Sequence, residues 1–243
     1  MVLLALAGGF ARRLEPRTLK FPKQLLPVGK KTFIDLYFES LNGIKNRLDK
    51  VVLATNQKYY PFFASWAKTS SWPVKVISNG VETKDKKLGA IGDFLFALEK
   101  EKITDDIFVC ASDYILPDLE YNKFLDFFAD RKASVTIGRI EFDKELLKAG
   151  SCLEFEPGGR VIRFKEKPAV PFSIYYGIPY YIVKKDDLSL IRQIPMNLRD
   201  NIGQLVSQLV VTSRVFAMEY TGGIIHITTE EDYQKLLKNP PKF

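Results

Sequence analysis

The first thirty residues of the chain combine a short apolar run with a loop rich in glycine, proline and basic side chains. Residues 2–6 read Val-Leu-Leu-Ala-Leu, which has the length and the lack of alternation of a strand buried on both faces. Gly8 and Gly9 follow this run and let the backbone turn tightly as it leaves the sheet. This order predicts a parallel α/β sheet in which a ligand-binding loop follows the first strand.

The loop after Gly9 is predicted to bind phosphate. Three prolines between residues 16 and 27 stiffen it, and its cations are Arg12, Arg13, Lys20 and Lys23. Backbone N–H groups beside glycines can approach an anion closely, and nearby cations add to the attraction. The segment matches neither GxxxxGK(S/T) nor GxGxxG, so the loop alone does not identify a nucleotide-binding family.

The rest of the chain shows strand-like runs that alternate with helical periodicity. Apolar runs at residues 51–54, 74–77, 107–110 and 134–138 predict strands, and apolar spacing within 33–41, 91–98 and 124–128 predicts helices. This rhythm indicates a Rossmann-like, mostly parallel sheet with helices on both faces.

The pattern changes after about residue 150 and predicts a mixed extension of the sheet. The signals are a hairpin at 154–163, a β-prone run at 173–183, a helix at 202–209, strands near 214–218 and 223–227, and a closing helix from about Glu230. No linker or repeat interrupts residues 1–243, so we expect one domain.

Charge and cysteine usage narrow the classes of partner. The formal charge of +7 and a pI near 9.2 favour anionic partners. The basic residues are scattered and accompany no RRM, KH or helix-turn-helix pattern, so we expect no nucleic acid as partner. Cys110 and Cys152 form no CxxC pair, which argues against a zinc site or a disulfide framework. The sequence shows no secretory or membrane-spanning pattern, and we expect a cytoplasmic protein that binds no membrane.

Two motifs of the first loop resemble the signature of the sugar-phosphate nucleotidyltransferases. Residues 13–18, Arg-Leu-Glu-Pro-Arg-Thr, and residues 22–28, Pro-Lys-Gln-Leu-Leu-Pro-Val, match the order and spacing of that family. The family's usual Gly-Thr before the arginine is Ala11-Arg12 here, and Ala11 lacks the freedom of glycine at positive φ. The resemblance implies the nucleotide-diphospho-sugar transferase fold and an enzyme that joins an NTP and a sugar 1-phosphate, giving an NDP-sugar and pyrophosphate.

The resemblance also implies a nucleotide cleft, which would be shaped by Ala7, Gly8, Gly9 and Gly89. Residues 88–93, Leu-Gly-Ala-Ile-Gly-Asp, resemble the family segment that contacts the nucleotide. A simpler interpretation is that these glycines open a helix with Asp93 near its positive end. Within the phosphate site, we assign Arg13 to the β- and γ-phosphates and Lys23 to the α-phosphate.

A metal site is implied by two further segments. Residues 108–113, Phe-Val-Cys-Ala-Ser-Asp, resemble the family's strand that ends in Gly-Asp, so Asp113 is the predicted catalytic metal ligand. The alternative is that Asp113 caps the following turn with Ser112. His226 stands where the family's closing segment has its second metal-binding aspartate, and it either binds the metal or packs as a hydrogen-bonded core histidine. We expect Mg²⁺, with Mn²⁺ or Co²⁺ as alternatives that tolerate imidazole better.

The acceptor sugar phosphate is assigned to a third segment. Residues 164–168, Phe-Lys-Glu-Lys-Pro, resemble the family's Glu-Lys-Pro element. The resemblance implies that Glu166 accepts hydrogen bonds from sugar hydroxyls and that Lys167 contacts the phosphate. A solvated, lysine-rich strand edge is the alternative. The family's sugar-contacting glycine falls at Gly150 or, one residue later, at Ser151.

Residues 1–118 are therefore expected to form the nucleotide-binding half and residues 119–243 the sugar-phosphate-binding half. Two other functions stay open: a nucleotide-sugar-sensing subunit with weak catalysis, and a cytidylyltransferase that acts on a non-sugar phosphate. The predicted partners are an NTP and a sugar 1-phosphate, and the formation of a homo-oligomer is left open.

Overall fold

The computed structural model describes residues 1–241 and residue 243. These residues form two compact units. The first unit contains residues 1–87, 110–121 and 222–243, and the second contains residues 88–109 and 122–221. The chain therefore passes between the units four times, and residues that are distant in sequence meet within each unit.

The described residues alternate between strands and helices for most of their length. The strands are β1 (Val2–Leu6), β2 (Pro27–Val28), β3 (Lys31–Thr32), β4 (Lys50–Thr55), β5 (Val74–Ser78), β6 (Ile107–Ala111), β7 (Tyr114–Ile115), β8 (Ser134–Ile140), β9 (Ser151–Phe155), β10 (Val161–Glu166), β11 (Tyr175–Val183), β12 (Val215–Tyr220) and β13 (Ile225–His226). The helices are α1 (Phe33–Ser40), α2 (Tyr60–Ala67), α3 (Ala90–Glu101), α4 (Tyr121–Arg131), α5 (Lys144–Ala149), α6 (Leu188–Ile191), α7 (Gly203–Thr212) and α8 (Glu230–Lys238).

The first unit is built on parallel pairs. β4 pairs in parallel with β1 on one side and with β5 on the other, with Leu4 opposite Val52 and Leu53 opposite Val76. Every residue of β1 is buried, as expected for a strand covered on both faces. The backbone N–H of Ser112, just after β6, donates to the Leu6 carbonyl at 3.1 Å. The ends of β1 and β6 are thus neighbours, and both lead into predicted site segments.

The second unit has a mixed set of strand pairs. β8 pairs in parallel with β12 and antiparallel with β11, while β9 pairs antiparallel with both β10 and β11. An aromatic cluster forms part of its core, in which the Phe108 ring lies 5.7 Å from the rings of Phe124 and Tyr180. The hairpin predicted at residues 154–163 is confirmed as β9 and β10.

Helices α1 and α8 of the first unit begin at capping boxes. The Thr32 side chain accepts from the Asp35 N–H, and the Asp35 carboxylate accepts from the Thr32 N–H. Thr229 and Asp232 repeat this arrangement at α8. Each box satisfies N–H groups that the helix itself leaves unpaired. The closing helix predicted from about Glu230 therefore starts where the sequence placed it.

The predicted α/β class with a mixed, mostly parallel sheet and helices is confirmed. One strand is shorter than predicted, because the strand expected near residues 223–227 is limited to Ile225–His226 and pairs only with the two-residue β7. Helices α2, α5 and α6 were not predicted. Within the described residues, no helix combines the length and the apolarity needed to cross a membrane.

The β9–β10 turn gives a test of local packing. Gly159 has φ +87°, and a Cβ there would lie 2.7 Å from the Ala217 carbonyl oxygen, whereas Gly158 has φ +95° and open space around it. We expect Gly159→Ala to lower the free energy of unfolding by roughly 2–4 kcal/mol, from strain plus overpacking. Gly158→Ala should cost only the strain, about 1 kcal/mol. Urea unfolding measures both, and equal losses would contradict a close-approach constraint at Gly159.

Candidate active site

The start of the glycine loop is fixed by the neighbouring strand β4. The Ala7 N–H donates to the Ala54 carbonyl at 2.8 Å, and the Asn56 side-chain amide donates to the Gly8 carbonyl at 3.0 Å. Asn56 also accepts from the Tyr59 N–H at 2.9 Å, so its orientation is set from both ends. Asn56 lies just beyond the carboxyl end of β4, and no sequence motif predicted its role.

The conformation of the loop differs from the expected use of glycine. Neither Gly8 nor Gly9 adopts a left-handed conformation, whereas Ala11 does, with φ 45° and ψ 44°. The Thr18 hydroxyl donates to the Ala11 carbonyl at 2.7 Å, and the Tyr59 hydroxyl donates to the Thr18 carbonyl at 2.8 Å. These bonds hold Ala11 in a conformation that alanine rarely adopts.

Two arginines of the loop have different surroundings. Arg17 forms a bidentate pair with Glu230, at 2.7 and 2.9 Å, which joins the loop to the start of α8. Arg13 is exposed, and among the described residues its guanidinium has no hydrogen-bond or ion-pair partner. Arg17 therefore stabilises the loop, whereas Arg13 is available to an anion.

Lys23 and Asp113 meet in a largely buried ion pair. The Lys23 ammonium donates to Asp113 Oδ2 and, at 3.0 Å, to the Ile227 carbonyl. Only 11% of the Lys23 side chain and 18% of the Asp113 side chain are exposed. The structure thus brings together two predicted catalytic residues that are 90 positions apart in the sequence.

His226 joins this pair through the ribbon of β7 and β13. Tyr114 lies opposite His226 in the ribbon, and the two rings stack 3.8 Å apart with an interplanar angle of 19°. The Thr228 hydroxyl lies 3.0 Å from Nδ1 and 2.9 Å from Nε2 of the imidazole. His226 Nε2 is 3.3 Å from Asp113 Oδ2. We call Lys23, Asp113 and His226 the charge cluster.

The charge cluster keeps Asp113 ionised. Burial alone would raise the pKa of the Asp113 carboxyl, but the Lys23 ammonium and the His226 imidazole outweigh it. The pKa of this carboxyl consequently lies well below its usual range.

The donor atoms of the cluster can be tested against a divalent metal. Asp113 offers carboxylate oxygen and His226 offers imidazole nitrogen, while Lys23 already contacts Asp113 Oδ2. Within the part of the chain that is described, no three His, Cys, Asp or Glu side chains are grouped as for a metal ion. These donor atoms fit a divalent cation that binds both oxygen and nitrogen ligands. Its remaining ligands would have to be water or substrate atoms.

Gln24 is a further buried residue of the loop, and the motifs predicted no role for it. Its side-chain amide nitrogen donates to the Ser112 hydroxyl at 3.3 Å, and that hydroxyl donates to the Leu6 carbonyl at 2.7 Å. Gln24 Oε1 is buried and has no hydrogen-bond partner among the described residues. The Ser112 hydroxyl thus forms its hydrogen bonds with Gln24 and the Leu6 carbonyl, and not with Asp113.

In the second unit, Gly89 has a steric role at the start of α3. Its φ is +79°, and a Cβ there would lie 2.4 Å from the Arg199 carbonyl oxygen. The N–H groups of Ala90 and Ile91 donate to the carbonyls of Asp200 and Arg199, at 3.2 and 3.0 Å. The first N–H groups of α3 are therefore paired within the unit, and glycine is required by this close approach.

The predicted sugar-phosphate residues of the second unit lie together. The Ser151 hydroxyl donates to Glu166 Oε2 at 2.5 Å, and the Lys167 N–H donates to the Gly150 carbonyl at 2.7 Å. A Cβ at Gly203 would come within 1.9 Å of Glu166 Oε2, so α7 begins against this carboxylate. Burial raises the pKa of Glu166, although the Ser151 hydrogen bond and the Lys167 charge oppose the shift.

Lys167 is held at one side of this group. Its backbone has φ 48°, and its ammonium donates to the Asn201 side-chain oxygen at 2.6 Å. Gly150 packs against the Tyr176 ring, whose atoms would lie 2.3–2.7 Å from a Cβ at that position. Gly150 and Ser151 thus have separate partners, and both belong to this group.

Comparison with known families covers most of the chain. The family model described as nucleotidyl transferase matches residues 2–219. A putative mannose-1-phosphate guanyltransferase of Sulfolobus acidocaldarius is 27% identical, over 96% of this chain and 61% of the relative. Mannose-1-phosphate guanylyltransferase 1 of Arabidopsis thaliana is 28% identical, over 96% of this chain and 63% of the relative. The chain thus spans less than two thirds of the length of these relatives.

Solved structures show the same fold. A putative glucose-1-phosphate thymidylyltransferase from Bacillus anthracis superposes with a TM-score of 0.80 at 18% identity, covering 100% of this chain and 96% of the other. An apo UDP-glucose pyrophosphorylase gives a TM-score of 0.77 at 14% identity, covering 98% and 96%. The predicted fold is therefore confirmed.

The buried ion pair of the charge cluster gives a stability test. Lys23→Ala should lower the free energy of unfolding by about 2–4 kcal/mol, because Asp113 is left without its cation. Lys20→Ala, which removes an exposed cation of the same loop, should change it by less than about 0.5 kcal/mol. Urea unfolding compares the variants. Adding Asp113→Asn to Lys23→Ala removes the unpaired carboxylate and should restore part of the lost free energy of unfolding. A double variant that is no more stable than Lys23→Ala would contradict this explanation.

Proposed function

The chain belongs to the nucleotidyl transferase family, as its motifs predicted, and we propose that it joins an NTP to a sugar 1-phosphate, releasing an NDP-sugar and pyrophosphate. The observation that carries the proposal is the charge cluster, in which the first loop delivers Lys23 to Asp113. The curated relatives are named as guanylyl- and adenylyltransferases of mannose 1-phosphate and glucose 1-phosphate. Hexose 1-phosphates are accordingly the proposed acceptor class.

In this reaction an oxygen of the sugar 1-phosphate attacks the α-phosphorus of the NTP in line. The new P–O bond forms as the bond to the β-phosphate oxygen breaks, and pyrophosphate leaves. The attacking phosphate is already ionised, so the protein needs no general base or covalent intermediate. Catalysis then rests on positioning and on the neutralisation of charge.

The residues of the first unit would bind the nucleotide phosphates. Arg13 is exposed and has no partner among the described residues, and it would bind the β- and γ-phosphates. Lys23 would bind the α-phosphate side. Gly8 and Gly9 would allow close approach of the backbone to the phosphates, and no atom of the described residues lies within 4 Å of a Cβ placed at Gly9. Asp113 and His226 would hold the divalent cation, which when bound would neutralise charge on the phosphate oxygens.

The residues of the second unit would bind the sugar phosphate. Glu166 presents a carboxylate that Ser151 orients, and it would accept hydrogen bonds from sugar hydroxyls. Lys167 carries the charge for the phosphate, and Gly150 would contact the sugar. We propose that the division at about residue 118 is a division of roles. Two residues cross the boundary between the units: Gly89 would serve the nucleotide although it belongs to the second unit, and His226 lies after residue 118 although it belongs to the first unit.

A substrate panel tests the function. With Mg²⁺ present, we expect pyrophosphate release from at least one of the four NTPs combined with glucose 1-phosphate or mannose 1-phosphate. Pyrophosphate is measured by a coupled assay. Thermal stabilisation by a nucleotide without any turnover would contradict the enzyme and support the sensing subunit. Turnover that requires CTP and phosphocholine would support the cytidylyltransferase.

A matched pair of variants ties the activity to the loop. Arg13→Ala should lower kcat/KM about 100-fold, since it removes a preorganised charge from the transition state, and should leave the free energy of unfolding unchanged. Lys30→Ala removes an exposed cation from the β2–β3 turn and should leave both quantities unchanged. Equal effects of the two variants on kcat/KM would contradict the assignment of Arg13.

The metal preference follows from the cluster's donor atoms. Imidazole is a poorer ligand for Mg²⁺ than carboxylate, so Mn²⁺ or Co²⁺ should support turnover at least as well as Mg²⁺. His226→Asp should lower the Mg²⁺ concentration needed for half-maximal rate, and Asp113→Ala should nearly abolish turnover. Titrations of the three metals measure this. An unchanged Mg²⁺ requirement in a destabilised His226→Asp protein would show that His226 is structural.

A further inference from the structure

The second unit carries an open groove of about 480 Å³ that includes none of the residues assigned to the reaction. Its walls come from the end of α4, the β9–β10 turn, β11 and β12. One wall is rigidly placed, because the Ala217 N–H of β12 donates to the Gly159 carbonyl of the turn at 2.7 Å. A volume of this size accommodates a small ligand of one or two rings.

Aromatic rings form the apolar part of the groove. Phe155 and Tyr175 lie with ring centroids 4.5 Å apart and an interplanar angle of 49°, and both are half-buried. Phe127, also half-buried, lies on the side of α4. The groove therefore presents ring surface from more than one direction to whatever enters it.

Charged groups form the polar part. The Arg131 guanidinium lies over the rings of Phe127 and Phe216, at 4.9 and 5.1 Å, and its Nε is buried without a hydrogen-bond partner in the described residues. Two exposed carboxylates, of Glu156 and Glu219, line the groove as well. Donors and acceptors are thus both available beside the rings.

Glu219 lies near an aromatic residue of the groove. Burial raises the pKa of the Tyr175 hydroxyl, and the negative charge of Glu219 raises it further. Tyr175 and Glu219 line the same groove. The carboxylate oxygens of Glu219 and Glu156 point to a ligand with hydrogen-bond donors.

The balance of charge selects the chemistry of the ligand. Two carboxylates against one guanidinium make the groove net negative, which opposes a phosphate or another anion. A small inorganic cation would cover little of the aromatic walls. A pyranose ring matches both parts, because its C–H faces stack on aromatic rings and its hydroxyls both donate to carboxylates and accept from arginine.

We propose that this groove binds a neutral pyranose ring through Phe155, Tyr175, Arg131 and Glu219. The ring belongs either to a small glycoside or to the end of an oligosaccharide, which present the same chemistry. The site is separate in its residues from the Glu166 group and does not depend on the proposed transfer reaction.

Met218 provides a direct report on the groove. The chain contains Met1, Met196 and Met218, and of these only Met218 lines the groove. In protein labelled with ¹³C at the methionine methyl groups, methyl α-D-mannopyranoside or methyl β-D-glucopyranoside should shift the Met218 signal saturably at millimolar concentration. Met1 and Met196 should not move. Tighter binding of mannotriose or maltotriose would assign the ring to an oligosaccharide.

Variants separate this groove from other sites. Glu219→Gln should weaken the binding of the tightest glycoside about tenfold, because a charged acceptor is lost. Arg131→Lys should weaken it too, since lysine lacks the planar stacking group. Glu231→Gln, an exposed position on α8, and Glu166→Gln should both leave the Met218 response unchanged.

Three results would overturn the proposal. The first is a Met218 signal that none of the four sugars moves. The second is a Met218 shift produced equally by inorganic phosphate, which would make Arg131 the centre of an anion site. The third is a Glu219→Gln variant that gives the same Met218 response to sugar as the wild type. Met1 and Met196 signals at their wild-type positions would show that this variant is folded.

Discussion

The buried carboxylate of Asp113 is the constraint on which the first unit depends. A carboxylate with most of its surface removed from water is costly unless a cation and hydrogen bonds accompany it. Lys23 supplies the cation, and it also donates to the Ile227 carbonyl, next to His226. One ammonium therefore joins the loop after β1, the end of β6 and the closing segment. Any displacement of the loop would leave the Asp113 carboxylate without its cation.

Some residues of the same loop fix its conformation, whereas Arg13 does not take part in these contacts. Arg17 pairs with Glu230, and Thr18 and Tyr59 fix the left-handed Ala11 through successive hydrogen bonds. A left-handed alanine costs roughly 1–2 kcal/mol, which these bonds must offset. Arg13 lies within this restrained segment, and no described residue forms a hydrogen bond or an ion pair with its guanidinium. A cation held in place by its backbone binds an anion with little loss of entropy on binding.

The sequence predicted what local patterns determine. The predicted strand at residues 2–6 has the same bounds as β1. Five consecutive apolar residues are typical of a strand that is covered on both faces, and all five are buried. Helix α2 was missed because its apolar residues show no single face, and Phe62 is in fact 37% exposed. The motifs selected Lys23, Asp113 and His226, but no local signal shows that they touch. Tyr114 could not be found this way, because its stacking on His226 depends on the register of β7 with β13.

His226 stands where the family resemblance places an aspartate, and this difference affects the electrostatics of the site. With an aspartate at this position, two carboxylates would face one ammonium, and the surplus negative charge would favour a divalent cation. An imidazole adds no negative charge, so Lys23 and Asp113 already balance each other. Two charges that balance within a largely buried site give less attraction for a further cation than an uncompensated pair of carboxylates does. Under the proposed function, a cation at this cluster would depend on the charge of the nucleotide phosphates, and nucleotide and metal would bind together.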